Sequence, residues 1–231
     1  MSRLELLPHG YTNRTTRSGA VVTKAYLGPD AARRGAREAA VLRALAGPAA
    51  AGQVPVPAVL GQDGGGLRME FLPGVHGQEL VDAGKARAVL RACGQTLGRI
   101  HAIAPAAAGL DGRSKPGEVL VHGDYGPNNV LLDLQAAAVT AVLDWEWAHR
   151  GDPVEDLAWC EWIIRMHHRA QAAALPELWS GYGWAPPWAQ RQQAMAAQCR
   201  ALIELCQRWE PDGPGIGQWR ERLAITLSWT E

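Results

Sequence analysis

The sequence predicts an α+β fold in two lobes, a small antiparallel sheet carrying one helix followed by a larger, mainly helical part. Three observations carry this. As far as about residue 72 the chain reads as short strands around a single helix, and beyond it helical spacing predominates around a few short strands. The change falls at Leu72-Pro73-Gly74, where proline and glycine interrupt both periodicities. A length of 231 residues also suffices for two small lobes that share a cleft. The lobes are therefore set at 1–72 and 73–231.

In the first lobe, Gly19 to Leu27 alternates, with Val22, Lys24 and Tyr26 on one face. A helix follows from about Asp30, a good N-cap residue, to about Ala46, where Gly47-Pro48 stops it. Its apolar stripe is Val41, Leu42 and Leu45, and helical spacing puts Glu38 on the same stripe. An inward carboxylate needs a cation. Lys24 on the preceding strand is one candidate, and an exposed i,i+4 pair with Arg34 is the other. Val54 to Leu60 reads as a proline-punctuated edge segment, Gly64 to Gly66 as a hairpin turn, and Leu67 to Phe71 as a strand.

In the second lobe, Lys85 to Ala104 has a core-helix pattern, with Val89, Leu90, Cys93, Leu97 and Ile100 at helical spacing. Val119 to Val121 is a short strand, and Val130 to Leu132 with Ala141 to Leu143 forms a hairpin. Asp152, Pro153 and Glu155 are the N-cap, first helical residue and capping-box partner of another helix. That helix is apolar on two sides, and Asp156 among its residues requires a buried polar partner. The remainder reads as helices broken at Pro186-Pro187 and between Pro211 and Gly217.

The chemistry is concentrated in His122-Gly123-Asp124, Asn129 and Asp144-Trp145-Glu146. A carboxylate, an amide oxygen and a second carboxylate stand there at the ends of short apolar runs. Phosphoryl transfer uses those parts: an acceptor for the hydroxyl proton, and hard oxygen ligands for magnesium on nucleotide phosphates. His122 is read as shaping the loop. Glu146 is placed on the strand face of Asp144, either behind the metal, against the substrate, or facing solvent.

The formal net charge is zero, so nothing in it calls for a nucleic acid or an anionic membrane as partner. Cys93, Cys160, Cys199 and Cys206 show no metal-ligand spacing and read as reduced packing residues. His167-His168 lacks a nearby acidic or cysteine partner in sequence. Neither a signal-peptide core nor a membrane-length apolar run is found, so the expectation is a cytoplasmic protein, monomer or homodimer.

Three ordered blocks, His122-Gly123-Asp124 with Asn129, Asp144-Trp145-Glu146-Trp147-Ala148, and Gly151-Asp152-Pro153 with Asp156-Leu157-Ala158, resemble the aminoglycoside phosphotransferase family. That family is similar in fold to the protein kinases and includes choline-kinase-like and thiamine-kinase-like members. The resemblance implies a protein-kinase-like two-lobed fold and transfer of the γ-phosphate of ATP, or GTP, to a small-molecule hydroxyl. Asp124 would be the base, Asn129 and Asp144 the Mg²⁺ ligands, and Lys24, posed by Glu38, the phosphate-binding ammonium. Met69, Glu70 and Leu72 would border the base of the nucleotide, and Asp156 would anchor the loop.

For the acceptor, an aminoglycoside would use carboxylates such as Glu146, Glu155 and Glu161, with antibiotic resistance as the associated role. An amino alcohol would use aromatic walls, with Trp145, Trp147, Trp159 and Trp162 as candidates. The chain departs from the pattern in three places. His9 to Gly19 lacks G-x-G-x-x-G, although Gly10 and Thr12-Asn13 resemble the choline-kinase-like loop. No A-P-E segment separates Asp144 from Asp152, which argues against a protein substrate, and the chain is short for the family. A catalytically silent scaffold would have lost one of Lys24, Asp124, Asn129 or Asp144, and a metal-dependent hydrolase would bring more histidines.

Overall fold

The computed structural model describes residues 5–6, 13–50, 52–63, 66–110, 112, 115–135 and 138–231. The expected roles of Gly10 and Thr12, and the turn at Gly64 and Gly65, lie outside these residues. Strands β1 (Glu5–Leu6), β2 (Asn13–Ser18), β3 (Val21–Tyr26), β4 (Val59–Asp63) and β5 (Gly66–Glu70) form one antiparallel sheet in the order β1-β2-β3-β5-β4. In β3, Lys24 pairs in register with Thr15 and Leu67 and turns its side chain toward helix α1 (Ala31–Ala46).

Two local expectations are corrected in this part. Asp30 precedes α1, yet its backbone is left-handed, with φ of 60°, and its side chain does not cap the helix. The carboxylate instead pairs with Arg33 and, at 3.1 Å, with Arg208 near the far end of the chain. The edge strand starts at Val59, later than expected. Proline lacks the amide that a ladder requires, so the carbonyl of Pro55 is used elsewhere and accepts the Val142 N–H at 2.8 Å.

Beyond Glu70 the chain leaves the five-stranded sheet, and β6 (Val75–His76) pairs with β8 (Val130–Leu132), which pairs with β9 (Val139–Val142). Strand β7 (Val119–Val121) pairs with β10 (His149–Gly151), a strand that the sequence did not announce. Helix α2 (Gly77–Leu80) passes through an irregular turn at Val81–Lys85 into α3 (Ala86–Ala102). Helices α4 (Val154–His167), α5 (Pro176–Tyr182), α6 (Trp188–Trp209) and α7 (Gly215–Ser228) complete the fold. Helices α3 and α5 cross at Gly94 and Gly181, where an added Cβ would collide with the carbonyl oxygens of Leu178 and Arg91.

The capping box at α4 forms as the residue types require. Asp152 Oδ1 accepts the Val154 N–H at 2.9 Å, and Glu155 Oε1 accepts the Asp152 N–H at 2.7 Å. The two apolar sides of α4 serve separate clusters. Leu157, Cys160 and Ile164 join the main core, in which Leu42, Leu45 and Leu67 meet Leu97, Ile100, Leu120 and Trp145. Trp159, Trp162 and Ile163 instead pack with Met195 and Cys199 of α6 and with Trp219 and Leu223 of α7. Cys93, Cys160 and Cys199 are buried thiols, as expected of packing residues.

Candidate active site

The buried ammonium of Lys24 lies 2.7 Å from Glu38 Oε2 and 2.9 Å from Asp144 Oδ1. Glu38 also accepts the Tyr26 hydroxyl at 2.5 Å and the Trp145 N–H at 3.2 Å. Of the two cations weighed from the sequence, Lys24 therefore takes Glu38. Burial opposes the charged amine, and the Asp144 and Glu38 carboxylates more than reverse this, holding the Lys24 pKa well above its ordinary value. Asp144 is drawn the other way: burial raises its pKa, the facing ammonium outweighs burial, and the net shift is downward. Side-chain exposure is 2% for Lys24, 1% for Glu38 and 35% for Asp144, so Asp144 is the member of the trio that reaches solvent.

The loop between β7 and β8 is held from behind. Asp156 accepts the His122 N–H at 2.7 Å and the Gly123 N–H at 2.9 Å, and it meets His101 Nε2 at 3.2 Å. These are the polar partners its burial called for. His122 Nδ1 accepts the Asp124 N–H, so the neutral ring carries its proton on Nε2 and donates to the Leu143 carbonyl at 2.8 Å. Burial lowers the His122 pKa, which suits that neutral form. Gly123 has φ of +85°, and a Cβ there would stand 2.6 Å from the Trp147 carbonyl, so both conformation and space require glycine.

Asp124 is half-buried at the front of this loop. Its Oδ2 accepts Asn129 Nδ2 and its Oδ1 accepts Trp159 Nε1, each at 2.8 Å. Burial raises its pKa to about 7, against the opposing hydrogen bonds from Trp159 and Asn129. Asn129 is fixed further by the bond of its side-chain amide nitrogen to the Asp124 backbone carbonyl at 2.8 Å, and by its own backbone carbonyl, which accepts the Leu143 N–H at 2.9 Å. The strand ends thus bring Asn129 beside Asp124 and set Asp144 against Lys24.

Several expected site residues take other positions. Asp144 adopts φ of 63°, which ends the strand geometry, so Glu146 sits in a short 3₁₀ turn rather than on a shared strand face. Glu146 is 3% exposed, accepts Asn13 Nδ2 at 2.9 Å and pairs with Arg34 Nη1 at 2.8 Å. It neither faces solvent nor stands as a spare carboxylate. Glu155 is used in the helix cap and by His149, and Glu161 is buried against Arg165 and Arg191. Trp145 is core, with Nε1 donating to the Val142 carbonyl, and Trp162 is core, with Nε1 donating to Thr226 Oγ1 at 2.8 Å. Trp147 is half-buried under the Arg34 guanidinium. Met69 is buried in β5, Glu70 is exposed at its end, and Leu72 is half-buried in the connection to β6.

The roles of Asn13, Arg34, Trp159 and Gln198, whose amide reaches the Gly123 carbonyl at 3.3 Å, were not legible as contacts. Each partner is distant in sequence, and no local pattern signals it. Among the described residues no cluster of histidine, cysteine, aspartate and glutamate could hold a metal by itself, and no helix is long and apolar enough to cross a membrane.

The model of the phosphotransferase enzyme family matches residues 3–118 and 115–194. The chain belongs to this family. Among curated proteins, the chain is 28% identical over 175 residues to mouse acyl-CoA dehydrogenase family member 10, a match covering 53% of this chain and 16% of that protein. It thus spans about a sixth of that relative's length. Among solved structures, the GDP and kanamycin complex of APH(2")-IIia superposes with a TM-score of 0.75 at 13% identity, over 98% of this chain and 93% of that one. A choline/ethanolamine kinase family protein from Mesorhizobium loti gives 0.66 at 17% identity, over 99% and 88%. The chain therefore has the protein-kinase-like fold.

Proposed function

We propose that this phosphotransferase moves the γ-phosphate of ATP, with GTP as the other candidate donor, to the hydroxyl of a small molecule. The observation that carries the reading is Lys24, held by Glu38 and set against Asp144, in the same site as a loop that joins Asp124 to Asn129. A silent scaffold would have lost at least one of Lys24, Asp124, Asn129 and Asp144, and all four are present. The nucleotide would lie between residues 1–72 and 73–231, with its base against Met69, Glu70 and Leu72.

Lys24 binds nonbridging phosphate oxygens, and Glu38 keeps its ammonium in place. The donor set suits magnesium: a carboxylate held ionised at Asp144 and the amide oxygen of Asn129, whose nitrogen is committed to Asp124. Mg²⁺ held there would neutralise charge developing on the phosphates. Asp124 takes the acceptor's hydroxyl proton as the oxygen attacks phosphorus and the nucleoside diphosphate leaves. A carboxylate with a pKa raised to about 7 is suited to that transfer at neutral pH.

The acceptor is an alcohol with at most one cationic group, the amino-alcohol type. This rests on Glu146, Glu155 and Glu161, each engaged by arginine, histidine or a helix cap, which leaves none of them for a polycation such as an aminoglycoside. The test is a coupled assay of ATP consumption with choline, ethanolamine, thiamine, amino sugars, aminoglycosides and macrolides as acceptors. Acceptor-dependent consumption that disappears in Asp124→Ala supports the assignment. Consumption without an acceptor, or turnover unchanged in that variant, overturns it.

A further inference from the structure

On a face of α1 next to the one that carries Glu38, a cavity of about 360 Å³ is lined by Arg33, Arg37 and Val41, by Gly109 and Leu110 of the loop after α3, and by Arg150 of β10. Three arginines line this space, and among the described residues no aspartate or glutamate lines it. Arg37 is fixed by donating Nη1 to the Ala148 carbonyl at 2.7 Å, while Arg33 stands at the rim, 68% exposed and 3.1 Å from Asp30. The planar forks of arginine match the oxygens of an anion. The volume falls at the low end of small-molecule sites, roughly 300–1,000 Å³. Val41 and Leu110 supply an apolar wall beside the charges.

We propose that this cavity binds a small phosphate-type oxyanion, separately from the nucleotide site. The segments around it are those that assemble the catalytic groups. Helix α1 carries Glu38, β10 continues from the Asp144–Trp147 segment, and its partner β7 leads into the His122 loop. An anion shared by Arg37 and Arg150 therefore ties α1 to β10 and tightens nucleotide binding through the Glu38–Lys24 pair, with the reciprocal effect on its own affinity.

Inorganic phosphate, titrated calorimetrically at constant ionic strength into the full chain saturated with a nonhydrolysable ATP analogue and Mg²⁺, tests this. The expected result is saturable binding that Arg33→Gln or Arg150→Gln weakens about tenfold, the effect of losing one charge-assisted hydrogen bond of roughly 1.5 kcal/mol. Glycerol 3-phosphate binding more tightly than phosphate would assign the oxyanion to a phosphate monoester, and equal binding to free phosphate; both support the site. Heat reproduced by chloride, binding abolished by the nucleotide analogue, or variants that bind like the wild type would overturn it. Should Arg150→Gln fail to fold, the exposed Arg33 variant carries the test. Binding is read without turnover, so an inactive kinase assay leaves the result standing.

Discussion

Lys24 Nζ stands 2.9 Å from Asp144 Oδ1, joining the middle of β3 to the segment that follows β9 across 120 residues of sequence. The same ammonium holds Glu38 of α1, so one cation fixes three elements. Its desolvation costs several kcal/mol and is offset only because two carboxylates converge on it. Lys24→Met should therefore leave buried charge uncompensated and destabilise the fold by about 3–5 kcal/mol. Urea denaturation measures this, and an unchanged midpoint would show that the carboxylates find other partners.

Asp124→Asn keeps the shape of the side chain and removes the carboxylate proposed as the base. Turnover should fall by about 10²- to 10⁴-fold, with nucleotide affinity altered only a few-fold. In the wild type, kcat/KM should drop as pH falls through about 7, because burial has raised the Asp124 pKa to that value and the protonated acid cannot accept a proton. A rate that stays flat from pH 8 to 5.5 would remove Asp124 from the proton transfer.

Trp159→Phe preserves the stack with Trp162, whose ring centroid lies 4.4 Å away, and deletes the N–H that Asp124 Oδ1 accepts. That bond holds the Asp124 pKa down against burial, so its loss should move the acid limb of kcat/KM to higher pH. A purely structural tryptophan would lower activity without moving the limb. Steady-state rates across pH separate the two.

Asp156→Ala should cost about 2–4 kcal/mol, since it strands the His122 and Gly123 amides, each a loss of roughly 1–3 kcal/mol before relaxation. In the wild type, burial would raise the Asp156 pKa, but the His101 hydrogen bond and neighbouring charge bring it below its ordinary value. A depressed carboxylate contributes stability that is present above the unfolded-state pKa, about 4, and is lost as pH falls through the folded one. Thermal melts of wild type and Asp156→Asn should therefore converge as the medium is acidified below pH 4. Parallel curves would exclude this linkage.

Gly123→Ala should lower turnover far more than it perturbs nucleotide binding. Its positive φ and the Trp147 carbonyl 2.6 Å from the added Cβ force the loop to shift at the residue next to Asp124. Activity equal to the wild type would mean that the loop tolerates the displacement.

The sequence by itself determined the parts whose signals are local. Alternation placed Lys24 on one face of β3 with Val22 and Tyr26, helical spacing put Glu38 on the apolar stripe of α1, and apolar runs ended near Asn129 and Asp144. The Asp152–Glu155 cap and the helix breaks at Pro186-Pro187 were legible for the same reason: the groups that satisfy each other lie within a turn. Tertiary structure alone decided the fate of the remaining charges. Asp30 offers a capping side chain, yet its left-handed backbone and Arg208, 178 residues away, draw it off the helix. Glu146 is claimed by Asn13 and Arg34, 133 and 112 residues distant, because the left-handed turn at Asp144 swings it into the junction between α1 and the segment after β9. Periodicity fixes which way a side chain faces within its own element. Which partner it meets depends on how the elements pack, and a buried charge takes whatever counter-charge that packing delivers.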